Sequence, residues 1–102
     1  MAKGYWIARV DVADAQAYQK YVAANGPALA AFGARFLARG GRYECVQGAA
    51  RSRNVVIEFP SYQAALDCWH SPQYQEVLSL RLPPVAQADV VVVEGFDGAQ
   101  PG

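Results

Sequence analysis

His70 is the single histidine of the chain, and it stands between Trp69 and the pair Ser71-Pro72, with Tyr74 close behind. An imidazole with a pKa near 6.5 exchanges a proton at neutral pH. This neighbourhood could therefore carry a proton-transfer step, with His70 moving the proton while Trp69 and Tyr74 hold a substrate. A histidine just before a Ser-Pro helix start is more often a helix-end or exposed residue. Arginine presents planar, paired donors that match a carboxylate, so Arg39 or Arg81 could steady an acidic ligand at the mouth of a cleft. Glu44, Glu58 and Glu94 offer the alternative of intramolecular ion pairs, which contribute only about 0–1 kcal/mol where exposed. Arg39, Glu44, Trp69, Tyr74 and Arg81 are accordingly the candidate ligand-binding set, and His70 is the candidate catalytic group.

Other chemistries find no support in the residue pattern. One histidine and two isolated cysteines, Cys45 and Cys68, lack the spacing of a zinc site, and no metal or other cofactor is expected. There is no phosphate-cradling loop, dinucleotide fingerprint or nucleophile elbow. Nine basic residues balance nine acidic ones, so nothing in the net charge attracts nucleic acid or an anionic membrane. The first residues lack the apolar core of a secretory signal, and no apolar run reaches the ~20 residues that span a bilayer. A cytoplasmic protein is expected, with both cysteines reduced and buried.

The elements that must position these residues follow from periodicity. Tyr5 to Val12 is rich in aromatic and β-branched residues and reads as a first strand. Asp14 can cap a helix in which Ala17, Tyr18, Tyr21, Val22, Ala24 and Ala28 form the apolar side. Asn25-Gly26-Pro27 should interrupt it, leaving Pro27 to Phe32 as a short second segment. Strand character returns from Arg35 to Gln47. Gly40-Gly41 is open to two readings here, a tight hairpin turn or a bulge in one continuous bent strand, and the bent strand is preferred because residues 48–53 make the better turn. Asn54 to Phe59 is the next strand. Ser61 caps a helix from Tyr62 to Trp69, and Ser71-Pro72 starts another that carries Tyr74, Val77, Leu78 and Leu82, with Arg81 at its end. Pro83-Pro84 stops it, and Asp89 to Glu94 is a last strand around Val90-Val91-Val92-Val93.

The order is β-α-β-β-α-β, which folds as a four-stranded antiparallel sheet with the helices on one face, an α+β arrangement of the ferredoxin-like kind. Residues 1–96 are read as one domain and 97–102 as a flexible tail. Hydrophobic residues make up 53% of the chain, against roughly 45–50% in average usage even with glycine included. Several strands are apolar on both faces, so the face without helices needs a cover, and a second copy packed sheet to sheet about a two-fold axis supplies one.

Five stretches carry a family resemblance: Gly4-Tyr5-Trp6, residues 35–41, residues 55–62, residues 69–74 and Glu94-Gly95. Together they resemble the small bacterial proteins of the domain of unknown function 1330 family. The resemblance covers nearly the whole chain and implies the dimeric α/β barrel form of the ferredoxin-like fold, with a homodimer through the sheet faces. It implies no established reaction. Relatives in the wider superfamily include cofactor-independent monooxygenases and isomerases, but fold does not fix function. Three functions follow as alternatives. The first is a module binding a small aromatic or acidic ligand in an apolar cleft, the second a cofactor-independent enzyme using His70, and the third an assembly or interaction module.

Overall fold

In the computed structural model, residues 2–102 are described. Four strands, β1 (Gly4–Val12), β2 (Arg35–Arg39), β3 (Arg53–Phe59) and β4 (Ala86–Glu94), form one antiparallel sheet in the order β2-β3-β1-β4. Between them run α1 (Ala15–Ala30) and the pair α2 (Tyr62–His70) and α3 (Pro72–Leu78). This is the ferredoxin-like α+β architecture expected from the sequence. Among the described residues no helix is long and apolar enough to cross a membrane.

Strand alternation separates the two faces of the sheet. Trp6, Val10, Val55, Ile57, Phe59 and Ala86 point toward the helices and are buried, together with Tyr18, Tyr21, Ala28, Leu29, Ala65, Cys68, Tyr74 and Leu78 from the helical layer. Trp6 is the centre of this core. Its ring lies 5.0 Å from Phe59, 5.4 Å from Trp69 and 4.8 Å from Tyr74, and its indole N–H donates to the Ala65 carbonyl at 2.9 Å. On the opposite face, strand register places Val91, Ile7, Val56 and Ala38 in one row across all four strands. Val91 and Val93 there are 58% and 44% exposed, so an apolar band stands open on that side.

Helix starts behave as local chemistry dictates. Asp14, Ser61 and Ser71 each accept the backbone N–H three residues on, at 2.9, 3.0 and 3.1 Å, satisfying donors that the first turn leaves free. Pro72 occupies the first position of α3.

Four expectations are corrected. Helix α1 runs unbroken through Pro27. The missing donor falls within the last turn, where Ala28 and Leu29 stay on the buried face, and that burial holds the helix together. The continuous strand from Arg35 to Gln47 does not form. Strand β2 ends at Arg39, Gly40 turns the chain at φ +66°, and residues 41–50 are exposed without regular structure. This segment has no strand to pair with, so alternation alone cannot make it one. Cys45, expected to be buried, is exposed on it, whereas Cys68 is buried. Arg81 does not end a helix, since α3 stops at Leu78 and Arg81 lies in the turn beyond.

The return limb of that long loop is pinned to the open face of the sheet. Arg51 bridges Asp11 at 2.7 Å and Asp89 at 2.9 Å, the Ser52 N–H donates to Asp11 at 3.0 Å, and Arg9 donates to the Ala49 carbonyl at 2.8 Å. The Ser52 N–H and the Arg51 guanidinium hold the Asp11 carboxyl below its ordinary range.

Candidate functional site

A narrow cavity lies between the sheet and the helices. Strand β1 contributes Trp6, Ala8 and Val10, β3 contributes Arg53, Val55 and Ile57, and β2 contributes Phe36 and Arg39. Helix α1 adds Tyr18, Tyr21 and Asn25, whose spacing of three and then four residues sets them on one helical face. Trp69, Tyr74 and Arg81 close the remaining side. The free volume is about 30 Å³, room for one or two water molecules as it stands.

Three guanidinium groups reach this cavity by different routes. Arg53 opens β3 and shares its parity with buried Val55, Ile57 and Phe59, so it points toward the helices, where its guanidinium lies 5.4 Å from the Tyr18 ring centre. Arg39 arrives through a bulge. Phe36 pairs with Ile57 while Ala38 pairs with Val56 and Arg39 with Val55, the irregularity falling at Leu37. A regular strand would have sent Arg39 to the open face, and the extra residue returns it to the cavity side. It sits at the mouth, 4.0 Å from the centre of the Phe36 ring. Arg81 is 6% exposed and lies 5.3 Å from the Tyr21 ring centre. Gly40 makes room for this arrangement, because a Cβ there would come within 2.5 Å of the Arg53 guanidinium and the positive φ already favours glycine.

No carboxylate or imidazole stands among the residues lining the cavity. Ion pairing of Arg39 and Arg81 with Glu44, Glu58 or Glu94 was the alternative open to the sequence. Among the described residues the ion pairs are those of Arg51 with Asp11 and Asp89. The floor of the cavity is polar in another way. The Tyr21 and Tyr74 hydroxyls lie 2.7 Å apart, one donating to the other. Burial, reinforced by Tyr21, pushes the Tyr74 hydroxyl well above its ordinary pKa, with Arg81 pulling the other way. Burial likewise raises Tyr18 against the opposing pull of Arg53. Two buried polar atoms at the cavity have no partner, Asn25 Oδ1 and Arg53 Nε.

Of the residues singled out in the sequence, Arg39, Trp69, Tyr74 and Arg81 come together on this cavity. Glu44 lies apart on the exposed 41–50 segment, and His70, at the end of α2, is exposed and outside the lining. A proton-transfer role for His70 required it to face the cleft, and this geometry does not meet that requirement. Arg53, Asn25, Tyr18 and Tyr21 were not singled out as site residues. The parity of Arg53 with Val55 and Ile57, and of Asn25 with Tyr18 and Tyr21 along a helix, was the available signal.

The same burial makes a pH prediction. Burial pushes the Cys68 thiol from its ordinary 9.0 up to about 12, and Tyr74 moves in the same direction. Both groups are neutral when protonated, so the folded state keeps protons that the unfolded chain releases. Their contribution to stability is complete below about pH 8.5 and is lost as pH climbs toward about 12. A melting temperature flat near neutrality and falling across that alkaline window is expected by circular dichroism, with a shallower fall in Cys68→Ala. An identical fall in the variant would remove Cys68 as a source.

Comparison with known proteins agrees with this architecture. A protein of unknown function from Rhodopseudomonas palustris superposes with a TM-score of 0.72 at 17% identity, over 95% of this chain and 85% of that one. A protein from Thermobifida fusca, described as a dimeric ferredoxin-like protein of unknown function, gives a TM-score of 0.61 at 15% identity over 90% of both chains. At such identities the likeness shows a shared fold. No curated protein matches the sequence. The family described as domain of unknown function (DUF1330) matches residues 3–96, and the chain belongs to that family.

Proposed function

We propose that the protein is a small-ligand binding module that holds an organic acid in the cavity between sheet and helices. The observation that carries this reading is the set of three arginines, Arg39, Arg53 and Arg81, on a cavity lined otherwise by apolar and aromatic side chains and Asn25, and by no carboxylate. Gathering guanidinium groups in a partly dehydrated space without a counter-ion is costly, and a ligand carboxylate supplies that counter-ion in the planar geometry arginine favours. The small free volume favours a compact acid. A ring-bearing acid enters only if Arg39, exposed at the mouth, swings away from Phe36.

The enzymatic alternative, an isomerase or oxygenase driven by His70, has no support in this geometry, since the imidazole stands outside the cavity and no other lining group is a base at neutral pH. A second copy is the natural cover for the open band of Ile7, Val56, Val91 and Val93, and the Thermobifida fusca relative described as dimeric supports that arrangement. Two unpaired cysteines suit a reducing, cytoplasmic setting.

Calorimetric titration with benzoate, benzyl alcohol and benzylamine tests the acid reading. Benzoate is expected to bind, the neutral and cationic analogues to bind at least about tenfold more weakly, and Arg53→Leu to weaken benzoate about ten- to a hundredfold, as loss of a charged hydrogen bond does. Equal binding of benzyl alcohol and benzoate would overturn it.

A further inference from the structure

Resting on the acidic-ligand reading, we propose that the acid held in this cavity also carries a hydrogen-bond donor, a hydroxyl or amino group, that is received by Asn25. Asn25 is 5% exposed, lines the cavity, and its Oδ1 accepts from nothing in the protein. The large majority of buried side-chain acceptors have a partner in the protein, in ordered water or in a ligand, because one left unpaired loses its hydration and gains nothing. The second partnerless atom is the opposite kind, the Nε–H of Arg53. The cavity thus holds one acceptor that needs a donor and one donor that needs an acceptor. An acid without a donor group answers only the second.

Helix α1 carries Asn25 and the two tyrosines against which Arg53 and Arg81 lie on one face. Tyr18, against which Arg53 lies, is seven residues from Asn25, and Tyr21, against which Arg81 lies, is four residues from it. At 1.5 Å per residue these are separations of about 10 Å and about 6 Å along the helix. The acid group and the donor it carries are therefore received at separate places in the cavity, and acids that carry the two groups apart are the natural probes.

Calorimetry on the full chain with two matched pairs tests this, butanoate against 4-hydroxybutanoate and benzoate against 4-hydroxybenzoate. In at least one pair the hydroxylated acid is expected to bind about ten- to a hundredfold more tightly. Asn25→Leu should bring that ratio to about twofold or less, and should raise the melting temperature of the ligand-free protein by removing an unpaired acceptor. Equal affinities within both pairs in the unaltered protein overturn the donor proposal and leave the acid reading standing. A preference that survives in Asn25→Leu also overturns it. Failure of all four acids to bind at millimolar concentration overturns the acid reading, and this proposal with it.

Discussion

Replacing Trp6 by alanine is expected to lower the unfolding free energy by about 3–5 kcal/mol, the cost of deleting a fully buried aromatic side chain. Trp6 is 2% exposed, touches Phe59, Trp69 and Tyr74, and ties β1 to α2 through its bond to the Ala65 carbonyl. A domain of this length commonly has only about 5–15 kcal/mol in total, so the variant should lose about a fifth or more of its stability. The shift in melting temperature should exceed about 12 °C, at roughly 4 °C or more per kcal/mol. Trp6→Phe separates the two contributions, because it keeps a ring in place and removes the N–H. Its cost should be smaller, with about 1 kcal/mol of it from the lost hydrogen bond. Urea unfolding followed by circular dichroism at a fixed protomer concentration measures both. A Trp6→Ala variant within about 1 kcal/mol of the parent would show that the core closes around the gap and that Trp6 is not its centre.

The second large effect is expected on the open side of the sheet. Val91→Lys places an ammonium group in the apolar row that runs through Ile7 and Val56. Val91 is 58% exposed within the single chain, so the isolated fold should tolerate lysine there, with stability changed by about 0.5 kcal/mol or less. A symmetric pair of sheets meets the substitution twice, since each copy presents the same surface to the other. Burying an uncompensated charge costs about 3–5 kcal/mol, which weakens self-association by about a hundred- to a thousandfold or more. Sedimentation velocity at micromolar concentration should find a dimer for the parent and a folded monomer for Val91→Lys, with unchanged circular dichroism. A dimer that persists in the variant would move the interface elsewhere, to the exposed 41–50 segment with Tyr43 and Val46 as the first place to look.

The two surfaces are physically independent in their chemistry. The cavity side carries arginines without counter-ions, and the open side carries an ion-paired cluster in which Arg51 is held between Asp11 and Asp89. Those pairs sit at one end of the open face, and Glu58 and Arg35 stand at the other, in the row next to Val91, Ile7, Val56 and Ala38.

Element order, the three side-chain helix caps and the excess of apolar surface were legible in the amino-acid sequence, because each depends on residues close together in the chain. Asp14, Ser61 and Ser71 cap helices through bonds that span three residues, and strand alternation is visible without knowing any partner. The family likeness was legible for the same reason, since its segments are contiguous. What the chain brings together from afar was not. Arg39 faces the cavity only because β2 slips by one residue against β3. Arg81 is buried only because the turn after α3 folds back beside Tyr21 and Tyr74. Asn25 reads as a helix breaker in isolation, yet packing of Ala28 and Leu29 carries α1 past Pro27 and leaves Asn25 buried with a free acceptor. Register, bulges and the meeting of distant side chains are set by long-range pairing, which no local window of sequence contains, and on this protein they decide which residues share the cavity and which, like His70 and Glu44, stay outside it.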